Sequence, residues 1–176
     1  LSITLFLLVG GTLFFLGSEW SNPATLGPMT VGEKCLNAFF QSMTLRTAGF
    51  NVIDQGAMTD NSIVMSCILM LIGGSSGSTA GGLKTVTVWV LVMVVASGLR
   101  GRENIVFRGR TLPTQRALNA VSLFLMVSFL FFTGSMLISV THEATFLQAA
   151  YETASALGTV GLTTGITPHL TWPAQA

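Results

Sequence analysis

Between Ser62 and Ser97 the chain is apolar for 36 residues, and the middle of that stretch, Gly73–Lys84, reads GGSSGSTAGGLK. A hydrocarbon core about 30 Å thick is crossed by roughly 20 helical residues, so the stretch is too long for one crossing and awkward for two. Each glycine inside a helix costs about 1 kcal/mol against alanine, and this segment holds five. It therefore reads as two half-helices, Ser62–Ile72 and Thr85–Ser97, with unwound polar backbone between them. Such backbone persists at membrane depth only where protein buries it or it lines a water-filled cavity.

A membrane setting follows from the rest of the composition. Half of the 176 residues are apolar and only 9% are charged, against roughly 25% in soluble domains. That excludes a disordered chain, a nucleic-acid binder with a basic face and an acidic tail protein. The run Ala117–Val140 has 24 residues without a charge, enough to cross with some tilt. Leu1–Leu16 is expected as another spanning helix, its start cut off. It has no basic region before it and no small-residue cleavage site after it, which argues against a signal peptide. Cys35 and Cys67 form neither a disulfide framework nor a metal cluster.

Charge placement sets the orientation. Five of the eight basic residues (Arg100, Arg102, Arg108, Arg110 and Arg116) fall in Gly98–Arg116, while six of the seven acids fall near the opposite helix ends. The positive-inside rule makes Gly98–Arg116 cytoplasmic and puts 17–61 and 141–176 on the outer side.

Those two outer segments resemble each other. Glu33–Leu45 and Thr145–Leu157 each have helical character over 13 residues, too short to span, and each runs into a glycine loop. A constant offset of 112 pairs Ala38 with Ala150, Leu45 with Leu157, Thr47 with Thr159 and Gly49 with Gly161. An internal repeat of this kind is an architectural feature. Each unit reads as outer helix, re-entrant half-helix, Thr-x-Gly loop and second outer helix, and the second unit lacks its last helix. A half-helix ending at mid-membrane presents the negative end of its dipole. A glycine then lets the following loop turn backbone carbonyls toward a cation in place of its water shell. The acid nearest on the helix side is Glu152, seven residues before Thr159, so a ring of carboxylates is not the selectivity device.

At these residues the chain resembles a known family. Thr44–Asn51 (TLRTAGFN), Gly73–Lys84 and Ala156–Leu162 (ALGTVGL) are similar to motifs of the membrane subunits of the Trk/Ktr/HKT potassium transporter superfamily, of the Ktr type. The resemblance implies four helix–pore–helix repeats, of which this chain supplies the third and most of the fourth. It also implies a filter of four loops with one glycine each, a homodimer and a cytosolic nucleotide-binding regulatory partner. The broken helix of the third repeat is then a gate below the filter. Leu157 stands where the family often has phenylalanine.

Several residues have plainer readings. Arg46, beside a cation filter, reads as an anchor paired with a carboxylate such as Glu152 or one in a missing repeat. Gly77–Thr85 nearly matches a phosphate-loop pattern, but Leu83 is inserted before Lys84 and no strand precedes it. The spacing Gly73/Gly77/Gly81 also suits close helix packing. Lys84, the only charge between Asp60 and Arg100, is expected to pair with carbonyls of the unwound loop or with an acid in the missing half. His142 and His169 read as solvated.

The expectation is an all-α integral membrane protein of repeated pore units, 1–115 and 116–176, with one broken helix, multi-pass in the plasma membrane and not an enzyme. It takes up K⁺ through filter residues Thr47, Ala48, Gly49 and Phe50 together with Thr159, Val160, Gly161 and Leu162. Gly73, Gly74, Ser75, Ser76, Gly77, Ser78, Thr79, Ala80, Gly81, Gly82 and Lys84 gate it. No covalently bound cofactor is expected; Na⁺ is a second candidate ion. The partners expected are the remaining repeats, a second copy, the regulatory subunit and lipid, and not nucleic acid. The alternatives are a sodium-conducting or poorly selective transporter of the same family, and a non-conducting structural helical subunit.

Overall fold

The structure is a computed structural model that describes residues 2–46, 48–74, 81–100, 106–107, 110–111, 113–142 and 144–166. Helices dominate it: α1 (Ser2–Glu19), α2 (Val31–Thr44), α3 (Asp60–Leu71), α4 (Thr85–Leu99), α5 (Thr114–Thr141) and α6 (Phe146–Gly158). A 3₁₀ turn covers Gln55–Ala57. A two-residue antiparallel ladder, β1 (Val106–Phe107) with β2 (Arg110–Thr111), lies between α4 and α5.

Helix α5 is long and apolar enough to cross a membrane by itself. It begins at Thr114, just after Pro113, three residues before the apolar run, because Thr114, Gln115 and Arg116 extend the helix without being apolar. The interruption read at Gly73–Lys84 is present. α3 stops at Leu71 and α4 restarts at Thr85, giving pieces of roughly 18 and 22 Å that each cover only part of a crossing.

The short helices α2 and α6 each pack on the long helix before them. α1 lies against α2 and α3, while α6 lies against α5 and α3. Small residues make the approach close. A Cβ on Gly11 of α1 would meet the Ser42 hydroxyl of α2, and one on Gly134 of α5 would come 2.8 Å from the Thr153 methyl of α6. The core between these helices holds Phe15, Leu26, Leu45, Leu69, Met70 and Tyr151, all fully buried. Large apolar side chains elsewhere face outward, among them Phe6, Val95, Phe129 and Val140, the surface that a hydrocarbon environment solvates.

Buried Glu19 anchors the start of α3. Its carboxylate accepts from Asn22 Nδ2 (2.6 Å), Thr25 Oγ1 (2.6 Å), Thr59 N (2.9 Å) and Thr59 Oγ1 (2.7 Å). Thr59 is the N-cap of α3, so a negative charge sits where the helix dipole favours one.

Candidate functional site: two glycine loops over a broken helix

Both short helices start on the same device. The Glu33 side chain reaches back to accept from the Thr30 N–H and hydroxyl, each at 2.8 Å, which holds its carboxyl below the usual range. Gln148 Oε1 accepts from the Thr145 N–H (3.1 Å) and hydroxyl (3.0 Å). These are capping boxes, and the T-x-x-E/Q spacing at TVGE and TFLQ carries their signal in the sequence. They move each helix start from the apolar reading to its true position, Val31 in one case and Phe146 in the other.

The first loop follows α2. Thr44 latches it: its hydroxyl donates to the Phe50 carbonyl (2.5 Å) and accepts from the Phe50 N–H (2.9 Å). The Ala48 N–H bonds to the Thr44 carbonyl at 3.1 Å. Gly49 sits at φ +74°, a conformation that side chains resist. Thr47 lies outside the described residues.

The second loop follows α6. Val160 N–H bonds to the Ser155 carbonyl (2.9 Å) and Thr159 N–H to the Ala156 carbonyl (3.1 Å), closing the helix in a Schellman motif whose left-handed residue is ordinarily glycine. Here it is Thr159, at φ +52°, a true outlier for a β-branched residue. Strain of this kind costs on the order of 1–3 kcal/mol. Gly161 follows at φ +84°. The chain then returns over α6, where Glu152 accepts from Thr163 Oγ1 (2.7 Å), Thr164 N (2.8 Å) and Thr164 Oγ1 (3.0 Å).

These segments converge. A Cβ on Gly49 would collide with the Val160 carbonyl, so the two loops touch backbone to backbone. A Cβ on Gly158 would lie 2.6 Å from the Met70 carbonyl near the end of α3. The broken helix is pinched at its root. The Leu83 N–H bonds to the Leu71 carbonyl (2.8 Å), and a Cβ on Gly73 would collide with the Gly81 carbonyl. From that root the Gly81 N–H donates to Thr159 Oγ1 at 2.9 Å. Gly73, Gly74, Gly81, Gly82 and Lys84 therefore lie at the ends of the interruption, and Ser75, Ser76, Gly77, Ser78, Thr79 and Ala80 fall outside the described residues.

One carboxylate offered to Arg46 is engaged elsewhere, and the loop carbonyls expected to meet Lys84 lie largely outside the described residues. Arg46 does not bind Glu152, whose carboxylate faces the returning chain; the buried Arg46 Nε has no hydrogen-bond partner among the described residues. Lys84 is exposed at the start of α4 with no side-chain hydrogen bond to the described part of the loop. Among the described residues no cluster of three His, Cys, Asp or Glu side chains could hold a metal ion. The oxygens gathered at the loops belong to backbone and hydroxyl groups. Sequence reasoning missed Thr44, because a latch to a backbone six residues on leaves no periodic signal.

A helical chain with this interruption and these loops falls in the class of membrane cation transport proteins, and residues 1–175 match the family described as TrkH, cation transport protein. The chain belongs to that family. It is 42% identical over 160 residues to the Ktr system potassium uptake protein B of Bacillus subtilis, covering 91% of this chain and 36% of that protein. It is 41% identical over 175 residues to the potassium/sodium uptake protein NtpJ of Enterococcus hirae, covering 97% and 39%. To the Ktr system potassium uptake protein B of Vibrio alginolyticus it is 39% identical over 171 residues, covering 97% and 37%. The chain thus spans under two-fifths of the length of these relatives.

Proposed function

We propose that the chain supplies part of the ion pathway of a K⁺ uptake protein in the plasma membrane. The observation that carries this reading is the contact of Gly49 with the Val160 carbonyl. It brings two left-handed glycine loops together at the C-terminal ends of two short helices. In this reading α2 and α6 are re-entrant pore helices and 1–115 and 116–176 are successive repeats. Thr47, Ala48 and Gly49, with Thr159, Val160 and Gly161, offer carbonyls to a dehydrated cation. Phe50 and Leu162 close the loops. One lone pair of the Phe50 carbonyl is already taken by Thr44, so Phe50 contributes mainly by fixing the loop.

The interruption 73–84 is the gate. Its root bonds to Thr159, and the positive N-terminal end of α4 adds to the charge of Lys84. Together they set an electrostatic barrier to cations beside the segment's bulk. Segment 98–116 faces the cytosol and receives a nucleotide-binding regulatory subunit, and the whole chain forms a homodimer. Relatives named as potassium uptake and potassium/sodium uptake proteins support K⁺ as the main ion and make Na⁺ the second to measure.

The test is K⁺ and Na⁺ uptake by the full-length parent in cells without their own K⁺ uptake. K⁺ uptake that restores growth at low K⁺, with a K⁺/Na⁺ ratio lowered by Gly161→Ser, is the expected result. A parental ratio in Gly161→Ser at normal abundance puts the filter elsewhere.

A further inference from the structure

Behind the two loops, three buried polar side chains from different parts of the chain close on one another. Gln41 lies on α2, Gln55 in the 3₁₀ turn after the first loop, and Tyr151 on α6; none is more than 1% exposed. Gln55 is the hub. Its Oε1 accepts from Gln41 Nε2 at 2.6 Å and from Tyr151 Oη at 2.8 Å. Its Nε2 donates to the Ile53 carbonyl at 2.8 Å and to Gln41 Oε1 at 3.3 Å. Both lone pairs and both hydrogens of one amide are used, the full capacity of the group.

The position of this cluster gives it a task. Gln55 comes five residues after Phe50, and Tyr151 comes ten before Gly161. The bond between them therefore ties the exit of the first loop to the helix that delivers the second. Tyr151 belongs to the same apolar core as Ile53, Met58, Cys67, Leu69 and Ala154, and in such low-dielectric packing hydrogen bonds are strong and directional. Apolar contacts there fix volume. The amide and phenol fix register, and with it the distance at which Gly49 and Val160 meet.

We propose that Tyr151, Gln55 and Gln41 are positioning residues for ion selection, a strut that holds the two loops at the spacing on which preference for K⁺ over Na⁺ depends. None of the three touches the ion; each acts through the loops. The proposal rests on the reading of those loops as the filter, so its test must separate the two.

The experiment uses the full-length protein in liposomes, with K⁺ and Na⁺ uptake measured at equal reconstituted protein. Tyr151→Phe and Gln41→Met each remove one of the two donors to Gln55 Oε1 and keep the apolar bulk. Each is expected to lower the K⁺/Na⁺ ratio about fivefold, the factor that one net hydrogen bond commands in an equilibrium. The triple variant Gln41→Met, Gln55→Met, Tyr151→Phe leaves no orphaned side-chain amide and only the Ile53 carbonyl without its donor, so its melting temperature should recover in large part while its ratio stays low. If ratio and melting temperature recover together, or both single variants keep the parental ratio while melting lower, the cluster is structural only and the inference fails. Gly161→Ser is the control: a lowered ratio there with parental ratios in the strut variants sinks the strut alone. A parental ratio in all of them sinks the filter reading and the strut with it.

Discussion

Gly49 and the carbonyl of Val160 meet with no room for a Cβ between them. Gly161, by contrast, has nothing within 4 Å of where its Cβ would stand. Both residues have positive φ, so both resist substitution, but for reasons of different weight. Gly161→Ala meets only the conformational penalty, about 1–2 kcal/mol, whereas Gly49→Ala must also push the Val160 carbonyl aside. Gly49→Ala is therefore expected to abolish K⁺-dependent growth at low K⁺, and Gly161→Ala to leave measurable uptake with a reduced K⁺/Na⁺ ratio. Equal effects at equal membrane abundance would contradict this ordering.

Thr44 holds the first loop through both polar groups of Phe50. Thr44→Val keeps shape and leaves those groups without their partner, at a cost of about 1–3 kcal/mol. A lower melting temperature and weaker apparent K⁺ affinity are expected, and Thr44→Ser should restore both. Parental affinity in Thr44→Val would show that the latch has no bearing on the ion.

The interruption can be shortened without disturbing its root, because Gly73 packs directly on Gly81 and the Leu83 N–H bonds to Leu71. Deleting 75–80, so that Gly74 joins Gly81, is expected to raise maximal K⁺ flux and leave the K⁺/Na⁺ ratio near parental. A lower or unchanged rate in a well-assembled deletion would remove the gate, and loss of assembly is the outcome that a packed-helix role predicts.

Orientation has its own check. A cysteine in place of Asn104, in a protein lacking Cys35 and Cys67, should resist impermeant thiol reagents in whole cells and react in inverted vesicles. Labelling from outside would reverse the assignment of segment 98–116.

Features written in adjacent residues were legible before the structure. The five glycines of 73–84 announce the break, Ala117–Val140 announces α5, and the matched glycines at 49 and 161 announce the two left-handed turns. Boundaries moved where polar groups rather than apolar periodicity decide them. Thr30 starts α2 earlier than Glu33, and Thr59, held by Glu19, starts α3 at Asp60 instead of Ser62. What stayed hidden are the long-range polar contacts. Gln55 and Tyr151 lie 96 residues apart, and nothing local to either says that they meet. Glu152 was one of the carboxylates offered to Arg46, beside one in a missing repeat, but the chain after Gly161 folds back and brings Thr163 and Thr164 to it. Thr159 shows the opposite lesson: its type is wrong for a left-handed helix end, and its hydroxyl is what the Gly81 N–H binds.

If the touching loops around Gly49 and Val160 coordinate the transported cation, a heavier ion of the same chemistry should settle between them. Anomalous scattering from crystals of the full-length protein soaked in Rb⁺, a K⁺ surrogate, tests it most directly. The expected result is a Rb⁺ peak bounded by the backbone carbonyls of 47–49 and 159–161, which persists when Na⁺ is added in excess and fades when K⁺ is. A Rb⁺ peak elsewhere in the protein, with none between these loops, would contradict it.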